Sequence, residues 1–501
     1  MESFQNSPEN KNIRKLPTSI AAAVVWDFIG RVAQFLVVFI LGVFLTRLLS
    51  PVEFGSFAIV LSVITFSSIF VDLGFRSAIV QSSNTTQEQL STVFYINLFV
   101  SIGMLSIIVV GARYMERFYA IEGLGNYIAI AALLFVINAL TLVPNALLQK
   151  DLRLKAISFV TTTAALTSGA IAVCLAFSGF GVWSLVAQQL ISSTVVLFGL
   201  TMLARWRPSV SFNPRAITEL WRFGVRMFLA GLLETIFTRL DVLIIGKLFP
   251  IQTLGYYSRA QSLDGLVKNF SSSTTTSFAF PVIARMADDT EAVGKFYLRC
   301  LNVISFLAFL LIGILFLTCF DIVVILFTEK WIEVGYYFRI MAVTSFIYPI
   351  SALMVTLITG RGNSAGFLRL ELIKKTILFP TYLSFFIGGV YVFLIVLGAA
   401  FIVALIANAL FVEKEISVSL KTQMSAIFKY AVIGIVGVAL VFGAVFYIEN
   451  IYTHLIASSA LYAAFYLFFC HRFRLRGFIE IYNRLVSFFN DKRHANFSSA
   501  S

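Results

Sequence analysis

The chain has 501 residues, of which 59% are hydrophobic and 13% charged. A soluble domain carries about 25% charged residues, so this composition excludes a soluble enzyme and requires apolar surface that faces lipid. The net charge of +13 would suit nucleic acid, but no soluble domain carries a basic patch interleaved with exposed aromatics, and that partner is set aside.

Residues 1–17 form a polar tail with Lys11, Arg14 and Lys15. They resemble the start of a signal peptide, but the apolar run after Pro17 is far longer than a signal core and lacks a small-residue cleavage site. It reads as the first span. Apolar runs of about 20 residues, enough to cross a bilayer, predict fourteen spans in all. The first six are 18–45, 54–79, 90–112, 124–148, 155–177 and 181–204. A linker at 205–221 follows, and then 222–246, 255–282, 295–318, 335–359, 367–387 and 390–411. Spans thirteen and fourteen are 425–447 and 452–470, before a basic tail at 471–501. The longest loops, 205–221 and 319–334, are too small for a folded extramembrane domain.

A charge at the bilayer centre costs from about 3 kcal/mol upward, so such residues face a cavity or a partner. They are concentrated in four spans. Span one carries Asp27, Arg31 and Gln34 on one helical face, and span two carries Thr65, Ser68, Asp72 and Arg76 on another. Span seven carries Glu234, Thr238 and Asp241 with Arg239 beside them; span eight carries Gln261, Asp264 and Lys268 with Arg259 nearby. Spans three to six, nine and twelve are nearly free of buried charge, and Glu371, Lys374 and Lys375 of span eleven fall near a surface. Two readings compete. Asp27 with Arg31, and Asp72 with Arg76, stand four apart and neutralise each other, Arg76 snorkels to the interface, and Arg239 with Asp241 is a structural pair. Alternatively the cations form a chamber for a phosphate-bearing anion, and Asp27, Asp72, Glu234 and Asp241 carry a coupling proton or sodium ion.

Basic residues fall mainly in alternate loops, among them Lys150, Arg153, Arg205, Arg207, Arg285 and Lys414, and in the tail from Arg472 to Arg493. The opposite loops hold Arg47, Arg113, Arg117, Lys247, Lys330 and Arg339. The positive-inside rule therefore puts both termini in the cytoplasm, which requires an even number of spans.

RLLSPVEFGSF at 47–57 returns as KLFPIQTLGYY at 247–257, a constant offset of 200 (247 − 47 and 255 − 55) with Leu48/Leu248 and Gly55/Gly255 identical. One copy follows span one and the other span seven, so both enter the membrane in the same direction, as a parallel repeat. Pro144 and Pro349 fall in corresponding spans. The repeat predicts two pseudo-symmetric six-helix lobes, 18–204 and 222–411, with two C-terminal helices at 425–470 outside it. The same offset maps Gln34 onto Glu234 and Ser68 onto Lys268, so the polar faces of spans one and two correspond to those of seven and eight. The four cysteines form no CxxC pair and the three histidines no ligand cluster, so neither a disulfide frame nor a metal site is expected.

TRLLSPVEFGSFAIV at 46–60, FVDLGFRSAIVQ at 70–81, LSTVFYINL at 90–98, VPNALLQKDLRLKAIS at 143–158 and RLDVLIIGKLFPIQTLGYYSRA at 239–260 resemble the polysaccharide transporters of the MOP superfamily. The closest likeness is to Wzx-type lipid-linked oligosaccharide flippases of the colanic-acid exporter kind. The resemblance covers roughly 15–420, with Phe249-Pro250 a departure from the small residue usual there. It implies a V-shaped alternating-access cavity and export of undecaprenyl-pyrophosphate-linked repeat units across a bacterial inner membrane. It also implies glycan polymerase and glycosyltransferases as pathway partners, and no cofactor beyond a coupling ion. Arg31, Arg76, Arg239, Arg259 and Lys268 are the positions that would meet the pyrophosphate and sugar. The alternatives are a drug/cation antiporter of the same architecture, which would favour an acidic chamber, and a membrane polymerase or ligase, which would need a large external loop or an Asp-x-Asp metal site that the chain lacks.

Overall fold

The structure, a computed structural model, describes residues 34–82, 85–345, 347–484 and 486–487. Every regular element among them is a helix. α1 is Gln34–Leu48. The helices α2 to α8 are Pro51–Asp72, Phe75–Gln81, Gln87–Tyr119, Leu124–Ala131, Leu133–Lys150, Leu154–Phe177 and Val182–Ala204. Next come α9 (Thr218–Leu248), α10 (Ile251–Arg285), α11 (Thr290–Phe327), α12 (Ile332–Ser345), α13 (Ile347–Gly360), α14 (Ser364–Leu378), α15 (Phe385–Ile416), α16 (Leu420–Val445) and α17 (Ile451–Arg472). A short α18 spans 476–484.

This is a multi-pass membrane protein. Among the described residues, ten helical stretches are long and apolar enough to cross a bilayer. The expected fourteen is not reached by that measure: Ala365–Ile416 counts once although it takes in two expected spans, which meet where Gly388 and Gly389 leave helical geometry, and α1 is described only from Gln34. In addition, α9 and α10 are too charged and hydroxyl-rich. Phe99, Phe159, Phe177 and Ile387 are each more than 70% exposed, a burden of open apolar surface that lipid, not water, accommodates. Hydroxyls inside the helices turn back on their own backbone: Thr46 donates to the Gly42 carbonyl and Thr141 to that of Ile137, both at 2.7 Å. Such bonds satisfy a polar group where no water can.

The chain divides into two units, residues up to Gly255 and residues from Tyr256. In the first, the SPVE of the repeated segment is a helix start. Ser50 Oγ accepts from the Glu53 N–H at 3.4 Å and the Glu53 carboxylate accepts from the Ser50 N–H at 2.6 Å, with Pro51 as the first helical residue. The two repeat copies touch. A Cβ on Gly55 would lie 2.1 Å from the Ile251 carbonyl oxygen, and one on Gly255 would lie 1.9 Å from that of Pro51. α9 packs along α2 and α3, with Ile217 and Leu220 joining Phe75, Ile79, Val93 and Val143 in one apolar cluster. Span two, expected as one helix over 54–79, is broken. Leu73 (φ 47°) and Gly74 (φ 74°) both take the left-handed conformation and separate α2 from α3. Gly74 sits against α9, where a Cβ would lie 2.2 Å from the Gly224 carbonyl oxygen.

The second unit has two apolar clusters. One joins Tyr297, Leu301, Leu353, Met354, Ala409 and Val412, and the other joins Phe306, Tyr430, Val441, Tyr462 and Tyr466. The loop expected at 319–334 is helical as far as Phe327, followed by a 3-10 turn at Glu329–Trp331. Residues 319–327 are apolar apart from Asp321, and that carboxylate meets His454 Nδ1 at 2.6 Å, so helix α11 continues through it.

Candidate functional site

In the first unit, Asp72 ends α2 and its Oδ1 accepts from the Arg76 N–H at 3.3 Å, capping the start of α3 across the break. The Arg76 guanidinium stands 3.9 Å from the Asp72 carboxylate, with both side chains about two-fifths exposed. The structure thus brings this predicted pair together, and much of its work is local. On α9, Arg239 is half-buried, Glu234 is exposed, and Asp241 is buried with its Oδ1 accepting from the Val242 N–H at 2.8 Å. Gln34 on α1 accepts from Thr161 Oγ1 at 3.2 Å. Asp27 and Arg31 lie outside the described residues.

In the second unit, α10 carries Arg259, half-buried, and Lys268. Lys268 Nζ stands 2.6 Å from Asp264 Oδ2, one turn back on the same helix, and the Asp264 side chain is 5% exposed. Ser345 of α12 donates to the other Asp264 oxygen. The ammonium also lies over two rings, Phe401 of α15 at 5.6 Å and Tyr348 of α13 at 6.0 Å. A buried charge needs such compensation: the carboxylate supplies the counter-charge, the hydroxyl a further hydrogen bond and the rings a cation–π contact. Lys268 is therefore a fixed, compensated cation rather than a bare one. Sequence reasoning placed Asp264 and Lys268 on one face but had no signal for Ser345, Tyr348 or Phe401, which arrive from 77, 80 and 133 positions further along the chain (345 − 268, 348 − 268, 401 − 268).

Solved structures share the helical fold of the described residues. The chain superimposes on the lipid II flippase MurJ in an inward closed conformation with a TM-score of 0.72, at 13% identity, over 89% of this chain and 99% of that one. An inward-facing multidrug resistance transporter of the MATE family, in the MOP superfamily, matches with a TM-score of 0.58 at 16% identity, over 77% and 95%. The chain belongs to the polysaccharide biosynthesis protein family, whose pattern it matches over residues 44–335. Among its relatives is the succinoglycan biosynthesis transport protein ExoT of Rhizobium meliloti, 24% identical over 69% of this chain and 70% of that one. Another is the lipopolysaccharide biosynthesis protein WzxC of Escherichia coli, 23% identical over 69% and 70%. ExoT is named as a transport protein, and the fold is that of the flippase MurJ and of a MATE transporter, not of an enzyme.

Proposed function

We propose that the protein moves lipid-linked oligosaccharide repeat units, carried on undecaprenyl pyrophosphate, across the bacterial inner membrane by alternating access, in exopolysaccharide, O-antigen or capsule synthesis. Membership of the polysaccharide biosynthesis family carries this reading, and the compensated cation on α10 gives it a chemical basis. Arg31, Arg76, Arg239, Arg259 and Lys268 meet the pyrophosphate and sugar headgroup, since guanidinium and ammonium groups bind phosphate through charge-assisted hydrogen bonds. Asp27, Asp72, Glu234 and Asp241 carry the coupling proton or sodium ion. Both termini are cytoplasmic, and the repeat units come from glycosyltransferases and pass to a polymerase of the same pathway. The test is surface glycan in a strain whose own gene is replaced by a variant. Arg31→Ala and Arg259→Ala are expected to abolish the glycan while the protein stays in the membrane, and normal glycan in both sinks the assignment of these cations. Cysteine labelling checks the topology, with the 205–221 segment inside.

A further inference from the structure

We propose that a groove between the start of α11 and α18 binds the phosphodiester headgroup of an anionic membrane phospholipid. The groove, about 680 Å³, is lined by Lys295, Arg299 and Asn302 of α11 and by Arg476, Glu480 and Arg484 of α18. None of the charged residues singled out on α10 is among its lining.

The fold builds this groove. Gly477 lets the α18 backbone close on α11, where a Cβ would lie 2.3 Å from the Asn302 carbonyl oxygen. The Gly477 N–H donates to Tyr430 Oη at 2.9 Å, and that hydroxyl stands 3.3 Å from Asn302 Oδ1. On its other side α18 inserts Phe478 edge-on against Phe306 at 5.8 Å, within an apolar cluster of α11, α16 and α17. The short helix is thus held at both faces, and the groove wall is fixed.

Its charge is unbalanced. Four cations (Lys295, Arg299, Arg476 and Arg484) meet two carboxylates: Glu480 pairs with Arg299 and with Arg484 at 3.4 Å, and Glu291 pairs with Lys295 at 2.6 Å. Asp289 acts on Lys295 as well, which leaves a balance of +1, and Arg476 has no carboxylate partner among the described residues. Arg299 and Arg484 keep more than half of their side-chain surface open. Glu480, 17% exposed, pairs with both guanidinium groups and offsets one of their two charges. The groove lies at helix ends, between the first turns of a membrane-crossing helix and the segment just after α17, with Leu298 and Ile479 as its apolar lining. A basic pocket at the membrane surface with apolar flanks fits a phosphate whose acyl chains remain in the bilayer. Guanidinium forks supply bidentate contacts to its oxygens.

The test is native mass spectrometry of the full-length protein with phosphatidylglycerol or phosphatidylcholine. Wild type is expected to retain phosphatidylglycerol preferentially. Arg476→Gln/Arg484→Gln should lower that retention roughly 25-fold, about fivefold per guanidinium, and Glu480→Gln should keep or raise it. Equal retention of the two lipids by wild type overturns the proposal and needs no variant to fold. Unchanged phosphatidylglycerol binding by a folded double variant does the same. Displacement of the lipid by millimolar glycerol 3-phosphate would show a soluble-phosphate site instead. Transport is not a readout, so the result stands apart from the flippase reading.

Discussion

Replacing Lys268 with Met removes the counter-charge of a carboxylate that is almost fully enclosed. Asp264 is 5% exposed, its ammonium partner is 2.6 Å away, and the Lys268 side chain is itself only 24% exposed. Taking one member from a buried pair costs about 3–5 kcal/mol, because the remaining charge stays desolvated. The Ser345 hydroxyl does not offset this loss, since it contacts Asp264 in both forms. Lys268→Met is therefore expected to melt well below wild type in nanodiscs. Adding Asp264→Asn removes the stranded charge and keeps an acceptor for Ser345, so the double variant should return to within about 1 kcal/mol of wild type or exceed it. Surface glycan should be lost in both variants if the ammonium meets the headgroup. A single variant that melts with wild type would refute the pairing argument. A double variant that melts normally and makes normal glycan would refute a transport role for Lys268.

Gly255→Ala puts a methyl group 1.9 Å from the Pro51 carbonyl oxygen. Overpacking of this kind costs about 1–3 kcal/mol or more, and normal melting and accumulation of the variant would contradict the close approach. Arg76→Gln, at a pair 3.9 Å apart with both side chains about two-fifths exposed, should change stability by less than about 1 kcal/mol; a larger fall in the melting curve would show that the pair is structural. Asn97 on α4 is fully buried, and neither atom of its carboxamide has a hydrogen-bond partner among the described residues. Asn97→Leu should raise stability by about 1–3 kcal/mol, and a lowered melting temperature would reveal a polar partner in the folded protein.

Much of the fold was legible because apolar runs and helical faces are local. Span two was expected from 54, three residues after Pro51, where the Ser50–Glu53 cap starts α2 (54 − 51), and Asp264 and Lys268 were placed on one helical face, where the structure pairs them. The break between α2 and α3 could not be read in this way. It depends on Leu73 accepting a left-handed backbone that costs about 1–2 kcal/mol, and its neighbour Gly74 fits there because α9 leaves no room for a side chain. The partners that enclose Lys268 were equally invisible, since Ser345 and Phe401 carry no local mark and meet α10 only after the second unit has folded. The surroundings of Asp321 could not be read locally either. It is the one acid in the apolar stretch 319–327, which was expected as the start of a loop, and it meets His454 from α17 within a helix that continues to Phe327.

The repeated segment shows why a faint echo can hold structural information. Of its eleven aligned positions only Leu48/Leu248 and Gly55/Gly255 are identical. The capping chemistry differs: Ser50 and Glu53 form a reciprocal cap, whereas the second copy has Pro250 and Thr253, with the Thr253 N–H donating to the Pro250 carbonyl at 2.9 Å. The glycines remain because they share one contact. Gly55 admits the carbonyl of Ile251 and Gly255 admits that of Pro51, and both members of each exchange are related by the same 200 positions (255 − 55 and 251 − 51). This is the reciprocity of an isologous interface, in which each patch serves as both donor and receiver, here between helix starts of one chain. A side chain on either glycine would displace the helix start of the other copy. The two positions therefore share a steric requirement, while Ser50 and Pro250 need only begin a helix and can do so by different means.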